Sequence, residues 1–145
     1  MNLSKAAKII RVIDATAAGT TDVESAVVDA RGFDSVTFIV GLGAVVAGAA
    51  TSVKIQQGTN GTVTDAADLE GSKVTVADDD DTGLVVIEVS HPRERYLRAV
   101  VDRGTENAEV DFGLAILSNA KNEPIADDAT VIESLFLHSP AEGTA

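Results

Sequence analysis

Four arginines lie close together in the segment 83–103 (GLVVIEVSHPRERYLRAVVDR), and they are the first candidates for function. Guanidinium groups bind carboxylates and phosphates through paired hydrogen bonds, and arginine and tyrosine are enriched in protein interfaces. Tyr96, the only tyrosine of the chain, lies among them. Three interpretations stay open: ion pairs with acidic neighbours along the chain, an anionic-ligand site, and a protein interface. The residues concerned are Arg93, Arg95, Arg98 and Arg103.

Four consecutive aspartates, Asp78–Asp81, are the main metal-binding candidate. Calcium prefers several oxygen ligands, which carboxylates in a loop supply. The run does not fit the EF-hand pattern, in which ligands and a glycine recur at fixed positions. A solvated acidic turn before a buried strand is therefore the favoured interpretation. We predict no metal site and no cofactor.

Motifs for nucleophilic catalysis or nucleotide binding are weak. His91 and His138 each adjoin a serine, but adjacent side chains of a strand point to opposite faces, so neither pair forms a catalytic arrangement. The sequence contains no nucleophile elbow and no Walker-type motif, and its glycines around Gly41 miss the dinucleotide-binding spacing. With no cysteine, thiolate chemistry and disulfides are excluded. We predict that the protein is not an enzyme.

The charge balance narrows the range of partners. The chain has 145 residues, with 23 acidic against 11 basic side chains and a formal net charge of −12. Such a balance argues against general nucleic-acid binding, which requires neutralisation of phosphates. No uninterrupted apolar run is long enough to span a bilayer, and the N-terminus does not resemble a signal peptide. We predict no membrane partner and synthesis in the cytoplasm.

The elements that position these residues are predicted to be strands. Hydrophobic residues make up 45% of the chain but aromatics only 3%, so the core must consist mainly of aliphatic side chains. Short β-branched or alternating segments separated by turn signals predict an all-β fold: an antiparallel β-sandwich or jelly-roll-like barrel with short or no helices and extended termini. The predicted strands are Val23–Ala30, Ser35–Leu42, Ser52–Gln57, Lys73–Ala77, Leu84–Val89, Tyr96–Val101 and Ala108–Leu117.

Three regions are expected along the chain. Residues 1–21 form an N-terminal arm and loop, in which either a short helix or a strand from Lys8 is expected. Residues 22–118 form the sandwich domain, with one helical turn at Thr64–Glu70. Residues 119–145 form a C-terminal segment and tail that packs on the domain or a neighbouring subunit. Within it, Ala129–Leu137 is apolar and fits either a strand or a helix.

Several segments together suggest a family. The stretches GFDSVTFIVGLG, VTVADDDDTG, HPRERYLRAVVDR and SPAEGTA resemble capsid decoration (cement) proteins of tailed bacteriophages and prophages, over roughly residues 22–145. The resemblance implies a β-rich virion protein on the capsid surface that bridges major capsid protein subunits. It also implies a homo-oligomer, with a trimer favoured over a dimer, and it carries over no active site.

The predicted protein-interface residues come from three places. They are the N-terminal arm, the segment after Leu84–Val89 and the apolar C-terminal segment: Lys5, Lys8, Arg11, Arg93, Arg95, Tyr96, Arg98, Leu135, Phe136 and Leu137. Another virion component, such as a tail or head–tail connector protein, is the first alternative. A carbohydrate-binding module or an enzyme is the second, although the scarcity of aromatics weakens stacking on sugars.

Overall fold

The computed structural model describes residues 2–144, which fold into two antiparallel β-sheets packed face to face. One four-residue helix precedes the strands. The elements are α1 (Leu3–Ala6), β1 (Lys8–Ile13), β2 (Thr16–Gly19), β3 (Val23–Glu24), β4 (Val28–Asp29), β5 (Phe33–Val45), β6 (Ser52–Gly58), β7 (Ala67–Asp68), β8 (Val74–Thr75), β9 (Leu84–Ser90), β10 (Tyr96–Asp102) and β11 (Ala108–Ala120).

The first sheet has the strand order β1-β11-β5-β9, and β2 also pairs with β11 beyond the end of β1. The second sheet has the order β3-β10-β6-β7, with β4 also on β10 and β8 also on β6. Both sheets therefore keep open edges and the sandwich does not close into a barrel. The long strands β5 and β11, of 13 residues each, form the centre of the first sheet.

The core lies between the sheets and is aliphatic, as the composition predicts. In β5 every second side chain from Val36 to Leu42 points inward and is at most 2% exposed, and Phe38 is the one aromatic among them. Alternation of this kind buries one face of each strand and leaves the other towards solvent. From the second sheet, β6 and β10 contribute fully buried side chains: Val53, Ile55, Leu97, Ala99 and Val101.

The prediction of an all-β sandwich is confirmed, and the structure differs from the expected elements at four places. Both alternatives for the N-terminal arm occur, as helix α1 and the strand β1 from Lys8, but the loop expected after them contains the strand β2 of the first sheet. The predicted strand Val23–Ala30 is interrupted between β3 and β4. There the buried Ser25 hydroxyl accepts from the Ala99 N–H at 2.9 Å and takes the place of a ladder bond.

The helical turn predicted at Thr64–Glu70 is wrong, because the segment forms turns and the short strand β7. Asp65 instead accepts from the N–H and hydroxyl of Thr59 across the preceding loop, at 2.9 and 2.7 Å. These hydrogen bonds from Thr59 lower the pKa of Asp65. Residues 129–137, expected to be strand or helix, form neither.

Candidate functional site

The candidate site is a depression of about 570 Å³ at one end of the sandwich, which we call the basic depression. Three connections meet there: the turn between β4 and β5, the connector between β9 and β10, and the end of β11. Its lining carries four basic side chains and one imidazole, together with the carboxylates of Asp34 and Glu94; the basic side chains and the imidazole are Arg31, Arg93, Arg95, Lys121 and His91.

Backbone hydrogen bonds hold the three connections together. The His91 N–H donates to the Asp34 carbonyl at 2.7 Å, and the Lys121 N–H donates to the Gly32 carbonyl at 2.9 Å. Gly32 has a φ of 90°, a left-handed conformation that favours glycine in the tight turn. The Lys121 ammonium also lies 3.3 Å from Asp34 Oδ1. Residues distant in sequence therefore converge on one end of the fold.

Arg95 forms an ion pair within the chain. Its Nε and Nη2 donate to Asp29 Oδ1 and Oδ2 at 2.8 and 2.6 Å, a two-pronged contact between the start of β10 and the end of β4. The hydrogen bond from Arg95 lowers the pKa of Asp29 against the opposing effect of burial. The guanidinium also lies 4.9 Å from the ring centre of Tyr96, within the range of a cation–π contact.

Arg98 is likewise held within the second sheet. Its Nη1 donates to Glu24 Oε2 on β3 at 2.6 Å, and its Nε donates to Gln56 Oε1 on β6 at 2.8 Å. The Arg98 side chain is only 18% exposed. Arg95 and Arg98 thus support the interpretation of ion pairs within the chain, although their acidic partners come from other strands and not from neighbouring residues.

Arg103 does not belong to the cluster at all. It follows β10, whereas Arg95 precedes it, so about seven residues of extended strand, roughly 23 Å, separate them. Arg103 is 4% exposed and makes no ion pair within residues 2–144. Its guanidinium donates to the carbonyls of Thr21, Ala17 and Ala108 and to the Thr21 hydroxyl. It holds β2 and the following loop against β11.

Two arginines of the basic depression remain exposed and unpaired in the described part of the chain. Arg93 makes no side-chain hydrogen bond or ion pair there, and neither does the guanidinium of Arg31. Both are available to an acidic group brought by another molecule. Arg31 and Lys121 were not among the predicted interface residues, because only the pairing of β4 with β10 and of β11 with β5 brings them next to the connector.

The predicted N-terminal interface residues lie on α1 and on β1, the edge of the first sheet opposite β9. Lys5 is exposed on α1. Arg11 donates from Nε to Asp14 at 2.9 Å, and Lys8 lies 3.1 Å from Asp128. Partial burial raises the pKa of Asp128, but hydrogen bonds from Thr130 and Lys8 outweigh it, so the pKa is lowered. The contact between Lys8 and Asp128 attaches the C-terminal segment to the β1 edge.

The predicted C-terminal interface residues are largely exposed. Leu135, Phe136 and Leu137 have 71, 38 and 61% of their surface accessible, and Ile132 is fully accessible. The Phe136 ring meets the ring of His138 edge-on, with centres 5.1 Å apart. The structure does not bring these residues together with the basic depression.

The acidic run Asp78–Asp81 works as a set of backbone caps. Asp78 accepts from the Gly48 N–H at 2.7 Å, Asp81 from the Val45 N–H at 2.7 Å, and Asp80 from the Ala77 N–H at 3.0 Å. Asp78 and Asp81 thus fix the connection between β5 and β6, whereas Asp80 closes its own turn. Within residues 2–144 no group of three or more metal-ligating side chains is clustered. Asp79 makes none of these contacts.

The serine–histidine geometry differs from expectation. The Ser90 hydroxyl and His91 Nδ1 are 2.8 Å apart, whereas adjacent strand residues were expected to point apart. The reason is that β9 ends at Ser90 and His91 has a φ of 50°, which turns its side chain back. The second ring nitrogen of His91 has no hydrogen-bond partner among the described residues, so no third group orients the ring as in a catalytic triad.

The fold and the site define an antiparallel β-sandwich with a basic depression at one end. Within residues 2–144 the helix α1 is far too short and polar to cross a bilayer. A search against protein-family models and a search of curated proteins found no match to this chain.

Proposed function

We propose that the protein is a structural virion component of a tailed bacteriophage or prophage, without enzymatic activity. In this role it binds the outer capsid surface and stabilises the shell by bridging major capsid protein subunits as a homo-oligomer. The two-sheet sandwich and the resemblance of its sequence segments to decoration proteins support the proposal. Such a role is mechanical, because it adds contact area between capsomers that internal pressure would otherwise separate.

The observation that carries the proposal is the state of the arginines in the basic depression. A chain with a net charge of −12 leaves Arg31 and Arg93 exposed and unpaired at one end, next to Lys121. Charge complementarity across an interface selects partners and speeds association. The depression fits an acidic surface segment of a capsid subunit, and the acidic remainder of the chain keeps many copies soluble on the shell.

The experiment adds the purified chain to undecorated capsids, separates bound from free by sedimentation, and locates the bound chain by electron microscopy. We expect hundreds of copies over the shell. The variant Arg31→Glu should lower the affinity by about tenfold, because an attractive charge that forms no internal ion pair becomes repulsive. Lys73→Glu is the matched control, since Lys73 is exposed, unpaired among residues 2–144 and outside the depression.

Each remaining outcome contradicts part of the proposal. Capsids that bind no chain would refute decoration. A ring of copies at a single vertex would indicate the connector alternative. Equal binding by Arg31→Glu and the control would keep a capsid role but remove the basic depression as the contact, and would move attention to the apolar residues Leu135, Phe136 and Leu137.

A further inference from the structure

The edge strand β9 presents a free row of backbone hydrogen-bonding groups. In the β5–β9 ladder the Leu42 N–H donates to the Gly83 carbonyl and the His91 N–H donates to the Asp34 carbonyl. Antiparallel ladders alternate, so the odd-numbered residues of β9 bond to β5 and the even-numbered ones point their N–H and C=O groups outward. Within residues 2–144 nothing pairs with this outward row.

The other sheet edges are protected. Beside β1, the Arg11 N–H already donates to the Thr130 hydroxyl at 3.1 Å, and a register shift bends the strand between Arg11 and Ile13. Both edges of the second sheet consist of two-residue strands, β3 and β4 on one side and β7 and β8 on the other. Short, bulged or covered edges are the usual devices against edge-to-edge pairing.

Strand β9 has none of these devices. It is seven residues long, LVVIEVS, with no lysine, no proline and no register shift in its pairing with β5. Leu84 and Val86 point to the outer face and are 62 and 57% exposed. Two open grooves, of about 200 and 400 Å³, run beside its two ends. An unpaired seven-residue edge with two exposed apolar side chains and a single charged one is a site for an added strand.

The charges at the two ends of β9 indicate which strand can pair with its free edge. The acidic turn Asp78–Asp81 precedes β9, and the exposed Arg93 follows it. Asp79 and Arg93 make no side-chain hydrogen bond or ion pair with any described residue. Arg93 lines the basic depression and also the groove beside the end of β9. If two β9 strands run antiparallel, each acidic turn lies beside the basic end of the other strand.

We propose that β9 pairs antiparallel with β9 of a second copy of this chain about a two-fold axis. The two five-stranded sheets then form one continuous sheet. Full overlap places the axis at Ile87, with Leu84 opposite Ser90 of the second copy and Val86 opposite Glu88. The register that would place Glu88 opposite itself is disfavoured, because like charges directly across an antiparallel pair repel.

This inference does not depend on the proposed capsid role. A two-fold β9 contact gives a dimer, which differs from the trimer that the resemblance implies. It uses Arg93 and leaves Arg31 and Lys121 on the basic depression, so the two surfaces are tested by different substitutions.

The experiment measures molar mass against concentration by analytical ultracentrifugation, with circular dichroism to confirm that each variant is folded. A monomer has a mass of 14.9 kDa, and we expect twice that for the wild-type chain at about 100 µM. Val86→Glu should give a monomer, because the new carboxylate lies opposite Glu88 of the second copy and like charges repel across an antiparallel pair, while no ladder bond to β5 is removed. Ile132→Glu is the matched control at a fully exposed apolar site of the C-terminal segment and should remain dimeric.

A charge exchange keeps the test independent of any effect of Val86→Glu on folding. Asp79→Arg and Arg93→Glu alone should each weaken the dimer by about tenfold, since the two-fold axis repeats the lost contact, and the double variant should recover most of that loss. A monomeric wild-type chain at about 100 µM would overturn the inference. So would a trimer unaffected by Val86→Glu, and so would dissociation by Ile132→Glu with none by Val86→Glu, which would assign the contact to the C-terminal segment.

Discussion

Replacement of Arg103 by methionine tests whether a buried arginine can hold a strand without a carboxylate partner. The guanidinium donates to three backbone carbonyls, those of Ala17, Thr21 and Ala108, and to the Thr21 hydroxyl. Methionine fills a similar volume along the stem but leaves these acceptors without their donor. An acceptor that stays buried costs about 1–3 kcal/mol.

The three carbonyls do not contribute equally. Ala108 is fully buried, whereas Ala17 and Thr21 are exposed residues whose carbonyls can gain water once the guanidinium is removed. We therefore expect a loss of about 3 kcal/mol in the free energy of unfolding, out of the roughly 5–15 kcal/mol typical of a domain. For a chain of this length the corresponding fall in Tm is about 10 °C.

The assay combines urea unfolding with amide hydrogen exchange. Exchange should accelerate first in residues 16–21, because these backbone groups are held to β11 through Arg103 and Gly19 lies against the same guanidinium. In Arg103→Lys the free energy of unfolding should fall by about 2 kcal/mol, since an ammonium keeps the charge but cannot reach the same acceptors as the planar guanidinium. Arg93→Met is the control and should stay within about 0.5 kcal/mol of wild type. A loss of under about 1 kcal/mol in Arg103→Met, or unchanged exchange in residues 16–21, would refute the reasoning.

Three further predictions follow from buried polar groups, packing and charge. Ser25→Ala should destabilise by about 1–3 kcal/mol in urea unfolding because a β10 N–H loses its partner, whereas Ser52→Ala should be neutral or stabilising because its buried hydroxyl has no partner within residues 2–144. Gly41→Ala should lower Tm, since an added Cβ would collide with the Phe112 ring on β11. The ion pair that lowers the pKa of Asp29 stabilises the folded state at pH values above the unfolded-state pKa of about 3.9. This stabilisation is lost as the pH falls through the lower pKa of the folded state. Asp29→Asn should therefore reduce the dependence of the free energy of unfolding on pH in that acidic range.

Local sequence patterns predicted the fold class because the strands that form the core obey period-two alternation. In β11, alternate apolar residues from Ala108 onward identify a strand that the structure extends to Ala120. In β5 the same signal identifies the inward face from Val36 to Leu42. Such patterns depend only on burial of one face, which holds whatever the strand order.

The errors arose where contacts distant in sequence override local preference. Residues 64–70 carry a helix-capping signal, but Asp65 is used by Thr59 and the following residues pair with β6. The interruption at Ser25 depends on the Ala99 N–H of β10, which no local pattern reveals. β2 lies in the expected N-terminal loop and becomes a strand because it pairs with β11. Pairing of this kind is a property of topology, which the sequence pattern does not contain.

The arginine cluster shows the same limit in the candidate site. The sequence offers acidic neighbours within a few residues as partners, yet the structure pairs Arg95 with Asp29, 66 residues away, and Arg98 with Glu24, 74 residues away. Arg95, just before β10, lies beside β4, and Arg98, on β10, lies beside β3. Cross-strand pairing therefore determines their ion-pair partners. Charge reversal at Arg95 or Arg98 would therefore disturb the second sheet before it reported on any binding partner.

A test of binding therefore needs charged side chains that form no ion pair or hydrogen bond within the fold. In the described part of the chain the side chains of Arg31 and Arg93 are exposed and satisfy no internal acceptor. Reversal of either leaves the internal ion pairs intact, so a loss of association can be attributed to the surface. Because Arg31 lines the basic depression and Arg93 also lines the groove beside β9, the two reversals separate binding to an acidic partner from pairing between copies. If both reversals affected both properties equally, one shared surface would have to serve for both, and the division into two contacts would be wrong.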